Sequence, residues 1–394
     1  MASSSNIVLE YDHYSAKPNP HPIFRRLRAE DPLHYHEEHG YWIMTRYDDV
    51  QQALTDTTTY SSARGVTLEF ILEETPIPPG MLIFEDPPTH TMRRQVLMRM
   101  FKPKRIAALE QQIRDFCVRT LDPLIEKGGF DVIAELSHVV PMRVIGMLMG
   151  MPEENQEAIR DKFASTITVA EGGDYGVSSL FDTGILAEYL DWRLQNPSDD
   201  LVTEMMTVPF KDEHGVTRTL TRTEMHMLAN LLVSAGNETT GRLIGWIAKL
   251  LADYPDQRRE VERNPALAGG AVDEVMRFEP PALQICRYVT RDVEMYGKVM
   301  PAGSAVLLAT ASANRDESIY ADPDRFDIHR RAPQNLTLGY GPHFCLGAAL
   351  TKLEGRVVLE EMLKRMPEWT VDKENAEPTT ATAFHGWEKL PVFC

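Results

Sequence analysis

The sequence predicts a mainly α-helical protein with small β-sheets, built as a single domain over residues 1–394. Three observations lead there. From about residue 104 to 280 the pattern is mainly helical: Leu228, Leu231, Leu232, Ala235 and Thr239 recur at helical spacing inside a segment from about Thr223 to Asp253. The strand-like pieces are short and lie outside that stretch. No internal repeat, low-complexity tract or linker divides the chain, and the proline-rich "TPIPPG" at 75–80 is too short to do so.

In chain order, "YWIMTR" (41–46) reads as a strand and "YDDVQQALTD" after it as a helix. The long helical segment follows; thirty residues rise about 45 Å, enough to cross a domain of this size. "QICRYVT" (284–290) and "SAVLLAT" (304–310) read as strands with "PAG" turning between them, and the tail "GWEKLPVF" looks extended.

Composition narrows the function. With 43% hydrophobic and 25% charged residues the chain is an ordinary globular protein. The first twenty residues offer no apolar stretch for a signal peptide, and no segment has the ~18 uninterrupted apolar residues of a membrane span. A net charge of −17 disfavours nucleic acid. Four cysteines, Cys117, Cys286, Cys345 and Cys394, lie far apart with no CxxC pairing. That argues against disulfides and structural zinc and suits a reducing cytoplasm. Against the acidic background, "MRRQVLMRMFKPKR" (92–105) holds Arg93, Arg94, Arg99, Lys102, Lys104 and Arg105 without an acid. It reads either as a solvated helix face or as a docking patch for an acidic protein.

Three motifs carry chemistry. "AGNETTG" (235–241) places glycine, asparagine and two threonines where a buried helix does not need them, each costing several tenths of a kcal/mol to ~1 relative to alanine. Threonine hydroxyls compete for the carbonyl one turn back and bend such a helix. Ala235 and Gly236 are small enough for a flat object to lie against the backbone, and Glu238 and Thr239 set an acid beside an alcohol, which suits proton relay. The same residues also fit a polar break in a surface helix. In "DEVMR", Glu274 and Arg277 share a helix face at i, i+3, with Arg325 of "DPDRF" as a possible third member. The third motif is "LTLGYGPHFCLGAALTKLEGR" (336–356), in which Cys345 follows a glycine-rich turn. A thiolate is a soft donor for zinc, copper, an iron–sulfur cluster or haem iron. The first three usually take several protein ligands, and no second cysteine lies near, whereas haem takes one axial ligand. A helix starting at Cys345 would add its positive end to stabilise the sulfur. The rival is a cysteine nucleophile with His343 as base, two residues away on the same loop.

"AGNETT", "EVMR" and "GPHFCLG", in this order and approximate spacing, resemble the cytochrome P-450 superfamily, and the likeness to its soluble bacterial members runs from "YDDV" to "LPVF". The resemblance implies that fold, with haem b between a long distal helix and a proximal cysteine loop, and Cys345 as the metal ligand. "DPPTHTMRRQV" (86–96) matches the segment that binds the haem propionates, pointing to His90 and Arg94, with Arg287 and His343 as further partners. Ala235 would lie against the cofactor as well as the substrate. Glu274, Arg277 and Arg325 match a structural ion-pair cluster. Glu238 and Thr239 match the acid–alcohol pair that supplies protons for the reduction of dioxygen. The remaining pocket positions are Leu231, Leu283, Ile285 and Phe384, covered by the segment 66–83, so the substrate is expected to be a hydrophobic small molecule such as a terpenoid or steroid.

The implied activity is a monooxygenase that inserts one atom of dioxygen. Its electrons would come from an acidic ferredoxin docked on the 92–105 patch, extended by Lys352 and Arg356, and served by a separate NAD(P)H-dependent reductase. A peroxide-driven peroxygenase and a non-catalytic haem sensor or electron carrier are the alternatives. Leu338 departs from the family's usual phenylalanine seven residues before the cysteine.

Overall fold

A computed structural model describes residues 19–152, 184–331, 333–380 and 384–394. The first eighteen residues of the chain, including most of the stretch read above for a leader, lie outside the described residues, as does part of the 104–280 helical region.

The largest element is the helix Arg222–Asp253, 32 residues without interruption. A capping box starts it: the Glu224 amide donates to the Thr221 hydroxyl (3.2 Å) and the Thr221 amide donates to the Glu224 carboxylate (2.8 Å). Its far half, including Leu243, Ile244, Ile247 and Leu251, is buried in the main core with Val357, Val358 and Met362 of the helix Ala348–Arg365. Glycines set how closely neighbours approach. A Cβ on Gly241 would lie 2.6 Å from the Ser137 carbonyl oxygen, and one on Gly245 would lie 2.9 Å from Ile133.

A five-stranded sheet takes the spatial order Leu33–His36, Tyr41–Met44, Ala305–Leu308, Ile285–Val289, Tyr60–Ser61. Its centre pairs Val306 with Trp42 in parallel and Val306 with Arg287 antiparallel. The strands read from "YWIMTR", "QICRYVT" and "SAVLLAT" are these, and the helix Tyr47–Thr55 follows the first as expected. The connection between the last two is longer than a single turn: a hairpin, Val293–Met295 with Lys298–Met300, precedes the "PAG" turn. The tail forms two short strands, Trp387–Lys389 and Pro391–Phe393. Among the described residues no helix is long and apolar enough to cross a membrane.

Two expectations about charge change on folding. Arg277 donates to both carboxylate oxygens of the buried Glu274 (2.7 and 2.8 Å), but the third member is Arg330, whose Nε lies 3.1 Å from Glu274. Arg325 points its guanidinium at Asp327 and offers only its carbonyl to Arg277. The basic run is largely used up. Arg93 is buried against Glu85 and Glu224, and Arg105 pairs with Glu204 (2.5 Å). Arg94 turns inward to the Phe344 carbonyl. Lys352 pairs with Asp273, and Arg356 with Glu110 and Glu360. Arg99, Lys102 and Lys104 stay exposed. The acids come from segments up to 131 residues away, so a run without local acids is not a run without partners.

Candidate active site

The loop ahead of Cys345 is shaped by two residues in the left-handed region, Gly339 (φ 72°) and Gly341 (φ 68°). A Cβ on Gly341 would sit 2.9 Å from the Leu54 carbonyl oxygen, so only glycine lets the loop press onto the helix Tyr47–Thr55. The Cys345 amide donates to the Leu338 carbonyl (2.8 Å), closing the turn. The following helix begins at Ala348, three residues later than expected, because Gly347 is the capping position. Burial pushes the Cys345 thiol up from its ordinary value, while the Gly347 amide and the Arg94 guanidinium pull it down. The sulfur thus sits in a dry place with a backbone donor and a cation already aimed at it.

Around it lies a group of cationic and imidazole side chains with almost no acid. The His90 and His343 rings stack with centroids 4.0 Å apart. His90 is buried, yet neither of its ring nitrogens has a partner. Burial together with Arg94 holds it down at about 4, and burial together with Arg287, His90 and Arg94 holds His343 at about 2. Arg287, 1% exposed, donates to the Cys286 carbonyl (2.7 Å) and pairs with no carboxylate among the described residues; burial lowers it to about 10. A buried unpaired guanidinium is costly unless an anion completes it. Ser62, which sequence reasoning missed, reaches His343 Nε2 from 3.4 Å, and Asp86 holds Ser61 and Ser62 in place (2.5 and 2.9 Å). Ser61 ends the strand Tyr60–Ser61 and Ser62 follows it, with no motif to mark either.

The long helix leaves a short face uncovered midway along, a hollow in its packing. Although most of its residues are buried, Ala235 is exposed halfway along it, and Leu231 and Thr239, one turn to either side, are partly exposed. Thr239 donates its hydroxyl to the Ala235 carbonyl (2.8 Å), the back-bonding expected of a threonine there, yet the helix stays continuous. Gly236 does not face the hollow: a Cβ there would meet Ile145 at 2.8 Å, so its small size serves helix packing. Glu238 turns to Arg242, one turn on, with its carboxylate accepting from Arg242 Nε at 2.8 Å.

The apolar positions divide. Leu231 and Ile285 pack against one cluster, Val66, Phe70, Met81, Phe84 and Met227, which includes part of the expected covering segment. Leu283 is buried in a different cluster with Phe24, Leu68 and Ile71. Phe384 bridges to Ala282 through the backbone. The family resemblance assigned all four to the pocket; Leu283, just ahead of the strand Ile285–Val289, is instead buried in a core cluster.

This donor set fits a haem. There is one buried thiol with converging positive charge, a buried cation and an imidazole without partners for two carboxylates, and an exposed alanine amid a buried helix for a flat ring to cover.

Comparison with known proteins agrees. The family model described as Cytochrome P450 matches residues 266–387. A vitamin D(3) 25-hydroxylase of Pseudonocardia autotrophica is 34% identical over 406 residues, covering 100% of this chain and 98% of that one. A cyclomarin C epoxidase of Salinispora arenicola is 32% identical, covering 88% of each. Among solved structures, a mutant of P450 EryK in complex with erythromycin B superposes with a TM-score of 0.84 at 30% identity over 95% of both chains. With a relative of this similarity along its whole length, the chain belongs to the cytochrome P450 family of haem-thiolate monooxygenases.

Proposed function

We propose that this enzyme holds haem b through Cys345 and oxygenates a hydrophobic small molecule, a terpenoid, steroid or similar compound, with electrons from a separate ferredoxin and NAD(P)H-dependent reductase. The observation that carries the reading is the unpartnered buried pair Arg287 and His90 beside Cys345. Arg287, His90, Arg94 and His343 would bind the two propionates, a fixed dianion that removes the cost of burying the cluster. When bound, the haem supplies the reduction of dioxygen and the oxidising power for C–H attack, helped by electron donation from the sulfur.

The protein's own groups do the rest. The Gly347 amide and Arg94 favour the thiolate against the burial that raises the Cys345 thiol, and Arg94 ties its guanidinium to the loop at the Phe344 carbonyl. Thr239 carries a hydroxyl on the hollow's face, and Glu238, beside it in sequence, is the acid that recharges it; together they move protons to the oxygen site. Leu231 and Ile285, with Phe70, Phe84 and Met227, exclude water and present an apolar surface to the substrate. That one relative is by name a vitamin D(3) hydroxylase is in keeping with such a substrate. Arg99, Lys102 and Lys104, flanking the 54% exposed Met98, form a small cationic surface with an apolar centre for an acidic ferredoxin. A cytoplasmic location suits such partners.

The test compares turnover of an apolar compound library with ferredoxin, reductase and NAD(P)H against turnover with hydrogen peroxide alone. Product in the first arm only is expected, and Thr239→Ala should keep the substrate-induced spin shift while diverting most electrons to peroxide and water. Product from peroxide at an equal or greater rate, with Thr239→Ala fully coupled, would overturn the reading in favour of a peroxygenase.

A further inference from the structure

We propose that Arg242 is the positioning residue of the proton relay, and that Glu388 competes with Glu238 for it. This rests on the reading of Glu238 as the relay acid. Arg242 is 8% exposed, and each of its nitrogens is engaged. Nε donates to Glu238 (2.8 Å), and one terminal nitrogen bridges Glu238 (2.7 Å) and Glu388 (3.0 Å). The other terminal nitrogen donates to the Trp387 carbonyl (2.6 Å). The Thr379 hydroxyl donates to the same Glu388 oxygen (2.6 Å). The approach is built for an arginine stem: a Cβ on Gly386 would lie 2.9 Å from Arg242 Cδ.

The geometry sets what this arrangement does. Successive helical residues are ~100° apart, so Glu238 points ~100° away from Thr239 and ~60° away from Ala235, to the side of the face that borders the hollow. It shares the face of Arg242, four residues on, which draws its carboxylate toward the strand Trp387–Lys389. One cation therefore serves two carboxylates, and only one can be fully paired. Arg242 is the most buried of the three, and Glu388 is the more exposed acid, with a side chain 43% exposed against 18% for Glu238. When Arg242 leans onto Glu388, Glu238 is free to swing toward Thr239; when it leans back, Glu238 is withdrawn to the side where water reaches Glu388. Arg242 touches neither substrate nor cofactor and acts through Glu238.

The experiment uses the haem-loaded protein with Glu238→Gln, Arg242→Gln, Arg242→Lys and Glu388→Gln. Arg242→Gln is expected to lower kcat about tenfold with KM and the spin-shift Kd changed less than about twofold, the signature of a lost proton-transfer geometry. Arg242→Lys restores part of the rate, because an ammonium still pairs with one acid at a time. Glu388→Gln leaves Arg242 to Glu238 alone, lowering kcat a few-fold and raising the solvent isotope effect. Independently of turnover, urea unfolding in double-mutant cycles should give unfolding constants that depart from multiplicativity by about fivefold for Glu238 with Arg242 and for Arg242 with Glu388. Multiplicative effects in both cycles would overturn the shared cation. Wild-type kcat in Arg242→Gln and Glu388→Gln beside an impaired Glu238→Gln would overturn the positioning role alone. Unimpaired coupling in Glu238→Gln would remove the relay reading beneath it. Losses of kcat and stability in parallel, with no rescue by lysine, would reduce Arg242 to a structural part.

Discussion

Arg277 and Arg287 lie ten residues apart, both nearly inaccessible, and their surroundings differ completely. Arg277 spends its donors on two oxygens of Glu274 and on the carbonyls of Asn314, Pro323 and Arg325. Arg287 donates to one neighbouring carbonyl and, among the described residues, pairs with no carboxylate, Asp86 acting on it only through space. The first is matched by the chain itself and belongs to the framework behind the cysteine loop. The second is a charge buried in advance of its counter-ion. A matched buried charge marks structure; an unmatched one, beside a histidine with two idle nitrogens, marks a place kept for a ligand.

The comparison can be broken by mutation. Arg277→Gln leaves Glu274 buried with only Arg330 and the Asp327 amide to hold it, and should cost about 3–5 kcal/mol in urea unfolding. A loss under about 1 kcal/mol would show that the matched network is not structural. Arg287→Leu removes a charge that no protein group answers. In urea unfolding the haem-depleted variant should be as stable as the wild type or more stable. The same variant should speed haem transfer to a scavenging protein by about tenfold, since one charge-assisted contact is worth about 1.5 kcal/mol. Equal destabilisation in the two arginine variants, or unchanged haem loss in Arg287→Leu, would erase the distinction.

A smaller effect sharpens the matched side. Burial works against ionisation of Glu224, but Arg218, Thr221 and Arg93 outweigh it and hold the carboxyl down at about 2, against an ordinary value of 4.5. Because the folded value is depressed, this contribution is fully present above 4.5 and is lost as pH falls toward 2. Glu224→Gln should therefore melt about 2–4 °C lower than the wild type at pH 7, and the gap should close on acidification through that window. A gap that stays constant down to pH 3 would mean that the ion pairs with Arg93 and Arg218 contribute nothing.

These cases show what could be read from the chain and what could not. The long helix, the short strands and the cysteine loop were legible because each is written in contiguous residues: a 3.6-residue period, a capping threonine with glutamate three places on, two glycines where the backbone turns left-handed. The identity of a charge's partner is not local. Glu85, Glu204 and Glu224 neutralise much of the basic run from other parts of the chain, and Arg330 displaces Arg325 because the loop's path decides which guanidinium arrives. Gly236 looked like part of the floor under a flat ligand, and it is the seat of Ile145. Arg242 was passed over for the same reason, since its second acid and its carbonyl acceptor lie 146 and 145 residues further on. The sequence carries the groups of the site, and tertiary packing alone assigns their counter-charges.

The central claim is that the Cys345 sulfur, toward which the Gly347 amide and Arg94 direct positive charge against the cost of its burial, is the thiolate that would hold the haem iron. The carbon monoxide difference spectrum of the reduced, haem-loaded protein tests this most directly, taken beside that of Cys345→Ser. The wild type should show the red-shifted Soret band of thiolate ligation, and the variant should lose it while keeping its fold. A wild type without that band, or a variant that retains it, would contradict the account.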